Sequence, residues 1–205
     1  KISGVSSVAE QAERAAEDAK NDVFAGKVYE MSPTDLSSRR LMGDTGKIGQ
    51  PGGLTLEKSV SNPWNSKWQL RRAGTDNTGP YYQIVVSEGT GDAAIGVRDS
   101  DKAEDKADLV LKSSSVSDEK QLWRVTENSD GTYTFSARSN GNLVLGTKEG
   151  TTMSQYQHDV TYSYGLALVG VDKGSKVGDD GWTTYEYTKS KWKLTEIVYA
   201  PLDGM

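Results

Sequence analysis

One histidine, no cysteine and a surplus of tyrosine and tryptophan bound the chemistry open to this chain of 205 residues. His158 would have to hold zinc with carboxylates alone, an unusual ligand set. No motif places a serine and an aspartate around it for nucleophilic catalysis, so it is expected as an exposed loop residue. The acidic run Asp99, Asp101, Glu104, Asp105 and Asp108 has the ligand type for calcium. Its sixth and twelfth positions, counted from Asp99, are Glu104 and Val110, where an EF-hand loop needs Gly and Glu. Lys102 and Lys106 are interleaved with the acids, so a solvated loop is expected. The glycine-rich stretch Gly46 to Gly53 lacks the order of a phosphate-binding loop and reads as a wide turn. No nucleophile, base and oxyanion donor assemble from these residues. A non-enzymatic protein without metal or cofactor is expected.

The richest chemistry lies in residues 150–188. Five Trp and ten Tyr stand against two Phe in the chain, and Tyr156, Tyr162, Tyr164, Trp182, Tyr185 and Tyr187 crowd this region with His158. Aromatic faces stack on the C–H faces of sugars, and Gln155, Gln157, Asp159 and Asp180 are at hand to orient hydroxyls. Tyr-rich loops on a rigid scaffold suit a protein interface equally well, and rings that pack loops onto their own domain are a third option. The candidate ligand-binding residues are Tyr156, His158, Tyr162, Tyr164, Trp182 and Tyr185, with a glycan or a protein as partner.

These residues need a scaffold, and the composition limits which. The net charge is -5, and Arg39-Arg40 and Arg71-Arg72 are the basic doublets. A nucleic-acid partner, which demands a concentrated basic surface, is not expected. No apolar run approaches the roughly 18 residues of a membrane span, so no membrane insertion is expected. The chain opens at Lys1 with no visible signal peptide. It reads as a processed form or a fragment, and an extracellular location is expected.

Residues 1–26 read as an N-terminal helical extension. Val8 to Lys20 are strong helix formers, Ser7 and Glu10 form a capping box, and Gly26 is placed to end the helix. The stripe Val8, Ala12, Ala15, Ala19 and Val23 is thin, so the helix is marginal alone. It either leans on its own domain or docks a partner. From residue 27 the pattern changes to twelve short strands between turn signals. The third unit is expected to carry long loops between its strands Tyr133–Ala137, Leu143–Leu145, Leu166–Val171 and Trp192–Ile197.

Three segments close alike: Ser66-Lys67-Trp68-Gln69-Leu70, Gln121-Leu122-Trp123-Arg124-Val125 and Ser190-Lys191-Trp192-Lys193-Leu194. In each, period two puts the Trp and the next branched apolar residue on one strand face. The repeats run roughly 27–74, 79–128 and 131–198, with the third the longest. Gln121-Leu122-Trp123 keeps a whole Q-x-W motif. With the turn Asp130-Gly131-Thr132-Tyr133 and the segment Ser139 to Gly146 after it, the chain resembles the ricin-B-type β-trefoil lectin-like superfamily over residues 27–200.

That resemblance implies an all-β fold, a β-trefoil of three four-stranded repeats preceded by one N-terminal α-helix. It implies structural roles for Trp68, Trp123 and Trp192, whose indole N–H groups each need an acceptor. It also implies sugar sites built from an Asp just after the second strand's Leu, an aromatic in the next hairpin, and an Asn or Gln near the Q-x-W turn. At the Asp position stand Met42, Gly96 and Val144 or Leu145, while Asp44 and Asp99 come two or three residues late. The implied function is lectin-like carbohydrate binding. The alternative is an accessory or structural subunit that binds a protein partner and has lost sugar binding.

Overall fold

The computed structural model describes residues 7–88, 91–154 and 159–198. Among the described residues one α-helix, α1 (Val8–Lys20), precedes fourteen strands. The first unit holds β1 (Tyr29–Pro33), β2 (Arg40–Gly43), β3 (Leu54–Glu57) and β4 (Trp68–Asp76). The second holds β5 (Gly79–Glu88), β6 (Gly91–Val97), β7 (Leu109–Ser113) and β8 (Trp123–Glu127). The third holds β9 (Tyr133–Ala137), β10 (Asn140–Met153), β11 (Val160–Val169), β12 (Lys173–Val177), β13 (Thr183–Thr188) and β14 (Trp192–Glu196).

First and last strands of the three units pair in a closed ring, β1-β4-β5-β8-β9-β14, with β14 returning to β1. The hairpins β2–β3, β6–β7 and β10–β11 cap this barrel. The expected threefold fold is what forms, and its repeats match residue by residue. Tyr29 stands opposite Trp68, Tyr82 opposite Trp123, and Tyr133 opposite Trp192. The three Trp are at most 1 % exposed. Their indole nitrogens donate to the carbonyls of Leu41, Ile95 and Leu145 at 2.9, 3.1 and 3.0 Å. A buried indole needs such a partner, because an unpaired donor in the core costs about 1–3 kcal/mol.

The N-terminal segment departs from the expected helix. The cap is present, with the Glu10 N–H donating to Ser7 Oγ at 3.1 Å. The helix stops at Lys20, however, and Val8 and Val23 of the expected stripe are 82 % and 64 % exposed. Gly26, with φ of 72°, shapes a turn after the helix instead of ending it. Between them Phe24 is buried, edge-on to Tyr29, Tyr82 and Tyr133 with centroids 6.4, 5.6 and 5.8 Å away. One residue from each repeat thus surrounds a single ring that closes one mouth of the barrel. The segment expected as an extension contributes a core residue.

The third unit departs further. Its expected loops are strands: β10 and β11 run far beyond the expected Leu143–Leu145 and Leu166–Val171, and β12 and β13 were not expected. Together they form an antiparallel sheet in the order β11-β10-β13-β12. The acidic run of the second unit is not simply a solvated loop. Asp105 accepts from the Gly170 N–H at 2.7 Å, Lys106 N–H donates to the Leu168 carbonyl at 2.8 Å, and Asp108 bridges Ala167. This run braces the base of the third-unit sheet.

Candidate functional site

Pairing sorts the third-unit side chains onto two faces, because neighbouring residues of a strand point to opposite sides. The outer face is made of cross-sheet rows. At the far end Val160 pairs with Met153, whose N–H donates to the Trp182 carbonyl at 3.1 Å. The next row is Tyr162, Thr151, Thr184 and Val177. The third is Tyr164, Glu149, Glu186 and Ser175. Beyond it Leu166 and Thr147 turn the same face onto the barrel. The inner face carries Lys148 and Gly150 of β10, Tyr185 and Tyr187 of β13, and Lys176 of β12.

The structure therefore divides the candidate residues. Tyr162 and Trp182 share the outer face and are 66 % and 50 % exposed. Trp182 is fixed by its turn: Asp180 accepts from the Trp182 and Thr183 N–H groups at 2.8 and 2.9 Å and from the Thr183 hydroxyl at 2.7 Å. These bonds, the Thr183 hydroxyl first, hold the Asp180 carboxyl below its ordinary range. Asp180 thus positions the indole. Tyr164 is half-buried against the core, with the Arg39 guanidinium 3.5 Å from its ring centre. It braces the sheet instead of offering a free ring. Tyr185 is on the inner face, where Lys148 lies 4.2 Å from its ring centre. Beneath it a side chain at Gly150 would come within 2.9 Å of the ring, so only glycine lets Tyr185 lie flat. Tyr187 is buried, and burial pushes its phenol up to about 12. Tyr156 and His158 lie outside the described residues.

From the row next to Tyr162 toward the barrel, a cavity of about 580 Å³ is lined by Asp35, Leu36, Glu149, Lys173, Ser175 and Glu186, with Gly174 and Tyr187 of the inner face at its edge. Glu149 and Glu186 sit directly opposite on neighbouring strands. Like charges so placed destabilise a sheet, and among the described residues neither carboxylate has an ion-pair or hydrogen-bond partner. Burial, then Asp35 and Glu186, raise the Glu149 carboxyl above its ordinary value. Asp35 itself accepts from the Thr147 hydroxyl at 2.8 Å.

Sequence reasoning did not find Asp35, Glu149, Glu186 or Thr184. The signal was present in Thr183-Thr184-Tyr185-Glu186-Tyr187-Thr188, whose β-branched and aromatic residues are those of a strand. The polar faces on both sides hid it.

In the second and third units the sites implied by the resemblance are closed by the chain itself. The residue after each indole acceptor is Met42, Gly96 or Gly146, so the third position is Gly146 and neither Val144 nor Leu145. A side chain at Gly96 would meet the Lys120 carbonyl at 2.7 Å, and one at Gly146 the Thr188 carbonyl at 2.5 Å. No aspartate fits there. In the second unit Lys112 bridges Asp99 and Asp118 at 2.8 and 2.5 Å. Gln121 spends its amide on Ser113, Ser115, Gln83 and Asp118. The adjoining cavity of about 470 Å³, lined by Arg98, Asp99, Lys112, Asp118 and Gln121 among others, has no aromatic in its lining.

Residues 64–158 match the family described as ricin-type beta-trefoil lectin domain-like. No curated protein matches the chain. Among solved structures, the designed threefold-symmetric protein ThreeFoil is similar over 83 % of this chain and 99 % of its own, with 18 % identity and a TM-score of 0.53. A mosquitocidal holotoxin is similar over 86 % of this chain and 18 % of its own, with 15 % identity and a TM-score of 0.56. Botulinum neurotoxin type C, whose cell entry depends on interaction with two ganglioside molecules, is similar over 87 % of this chain and 44 % of its own, with 10 % identity and a TM-score of 0.52. The chain thus spans less than half the length of either toxin.

Proposed function

We propose that this ricin-type β-trefoil chain is a non-enzymatic recognition module that binds carbohydrate on the outer face of its third-repeat sheet. One observation carries the reading: Tyr162 and Trp182 stand exposed on the same face of a sheet that the other two repeats lack. Aromatic faces so held are platforms for the C–H faces of sugars. The hydroxyls of Thr151, Thr184 and Ser175 and the carboxylates of Glu149 and Glu186 flank them, with capacity to pair with sugar hydroxyls. The rings sit on paired strands, so little ordering entropy is lost on binding. The fold similarity to toxin domains supports recognition as the role, and extracellular work fits such a role.

Glycan-array binding by the whole chain tests the proposal. Tyr162→Ala and Trp182→Ala together should abolish the array signal while the melting temperature stays within a degree or two. Each ring is expected to contribute about 2 kcal/mol as a hot spot. Undiminished glycan binding by the folded double variant would remove the site from this face.

The closure of two of the usual sugar sites by Gly96, Gly146 and Lys112 favours a second reading, an accessory subunit bound to a protein partner. The exposed row Val160, Met153 and Trp182, with Val177 beside it, is the apolar surface such a partner would cover. A protein ligand would resist competition by free sugar and co-elute with the chain on gel filtration.

A further inference from the structure

From the charge around this face, and resting on the carbohydrate reading above, we infer that Glu149 and Glu186 are specificity-determining residues that exclude anionic glycans and favour glycans bearing an amine. Four charged side chains line the cavity that begins one row from Tyr162: Asp35, Glu149 and Glu186 against Lys173. Arg39, whose charge also reaches Glu149, is engaged with the Tyr164 ring and with the Leu56 carbonyl, to which it donates at 3.0 Å. Lys148 and Lys176 belong to the opposite face. A sugar stacked on the aromatic rows therefore meets an excess of negative charge.

The cross-strand pair sharpens the argument. Two carboxylates facing each other across neighbouring strands repel; Arg39 offsets part of the charge at Glu149, but neither carboxylate makes an ion pair or hydrogen bond among the described residues. A neutral ligand leaves that repulsion in place, and an anionic ligand adds to it. A ligand ammonium group placed between the two carboxylates removes it and makes charge-assisted hydrogen bonds to both. The chemical class that combines stacking C–H faces with a cation is an amino sugar carrying a free amine. Carboxylated and sulfated sugars are the class refused.

Chitin-derived oligosaccharides supply matched probes, N-acetylated (neutral) and deacetylated (cationic) on one backbone, and an array adds neutral, sialylated and sulfated glycans. The wild-type chain should prefer the deacetylated to the N-acetylated oligomer by roughly tenfold at low salt, the scale of a partly screened charge pair. Raised salt should narrow the preference. Sialylated and sulfated glycans should bind more weakly than their neutral counterparts. In the E149Q/E186Q variant, which keeps shape and hydrogen bonding, the ratios of cationic to neutral and of anionic to neutral binding should both approach one, whatever the change in absolute affinity. Equal or tighter binding of anionic glycans by the wild-type chain, or charge preferences unmoved in that variant, would overturn the inference and leave the carbohydrate reading standing. Absence of any glycan binding would overturn both.

Discussion

Each repeat relies on a single tryptophan whose burial and one hydrogen bond are the same three times over. Trp68, Trp123 and Trp192 all donate to a second-strand carbonyl within 0.2 Å of one another in length, although only Trp123 keeps the glutamine of its motif. The glutamine is thus separable from the indole's role. Gln121 ties its own turn, where Ser66 donates to the Pro63 carbonyl and Ser190 to Thr147. Trp123→Ala should cost about 3–5 kcal/mol in denaturant titration through the cavity it leaves. The three positions should rank together. These tryptophans were legible because an indole and a branched apolar residue at period two, closing three successive units, mark one inward strand face three times. The glycines at 96 and 146 were not, because what excludes a side chain there is a carbonyl from a distant turn. Of the candidate aromatics, sequence located the region. It did not separate the exposed Tyr162 and Trp182 from the braced Tyr164, the lysine-covered Tyr185 or the buried Tyr187, since all sit in the same polar, tyrosine-rich stretch.

At the level of elements, the two departures from expectation share a cause: local pattern says little where a distant partner decides. Strands β12 and β13 hold few apolar residues; β13 persists because β10 offers it a long edge, and β12 because β13 offers it the next. The helix shows the converse. Its propensity is strong and its ends are marked, yet none of its described side chains is buried. Phe24, past its end, meets three tyrosines that are 5, 58 and 109 positions away in the chain. Removing residues 1–20 should therefore leave thermal stability nearly unchanged. Extending the deletion to residue 25, or making Phe24→Ala in the full chain, should lower it by about 3–5 kcal/mol. Equal stability of the two truncations would place Phe24 outside the cooperative core.

For the molecule as a whole, burial raises the Tyr29 and Tyr187 phenols to about 12, with Glu196 adding to the effect at Tyr29 and Asp108 at Tyr187. Unfolded, both would ionise near 10. Their protonated forms favour the folded state, so stability should be intact below about pH 10 and fall progressively as the pH rises to about 12. Denaturation midpoints taken across that window should show the fall, and Tyr187→Phe should blunt it. The ring of strands also sets an order of events during synthesis. Strand β1 pairs with β14, Ser32 opposite Lys193, so the first strand to leave the ribosome waits for the last. At roughly 5–20 residues per second that wait is on the order of 10 s. Throughout it Tyr29, Met31 and Phe24 have no finished barrel to enter. A nascent chain halted anywhere before Trp192 keeps an unpaired apolar strand in contact with solvent or with a chaperone.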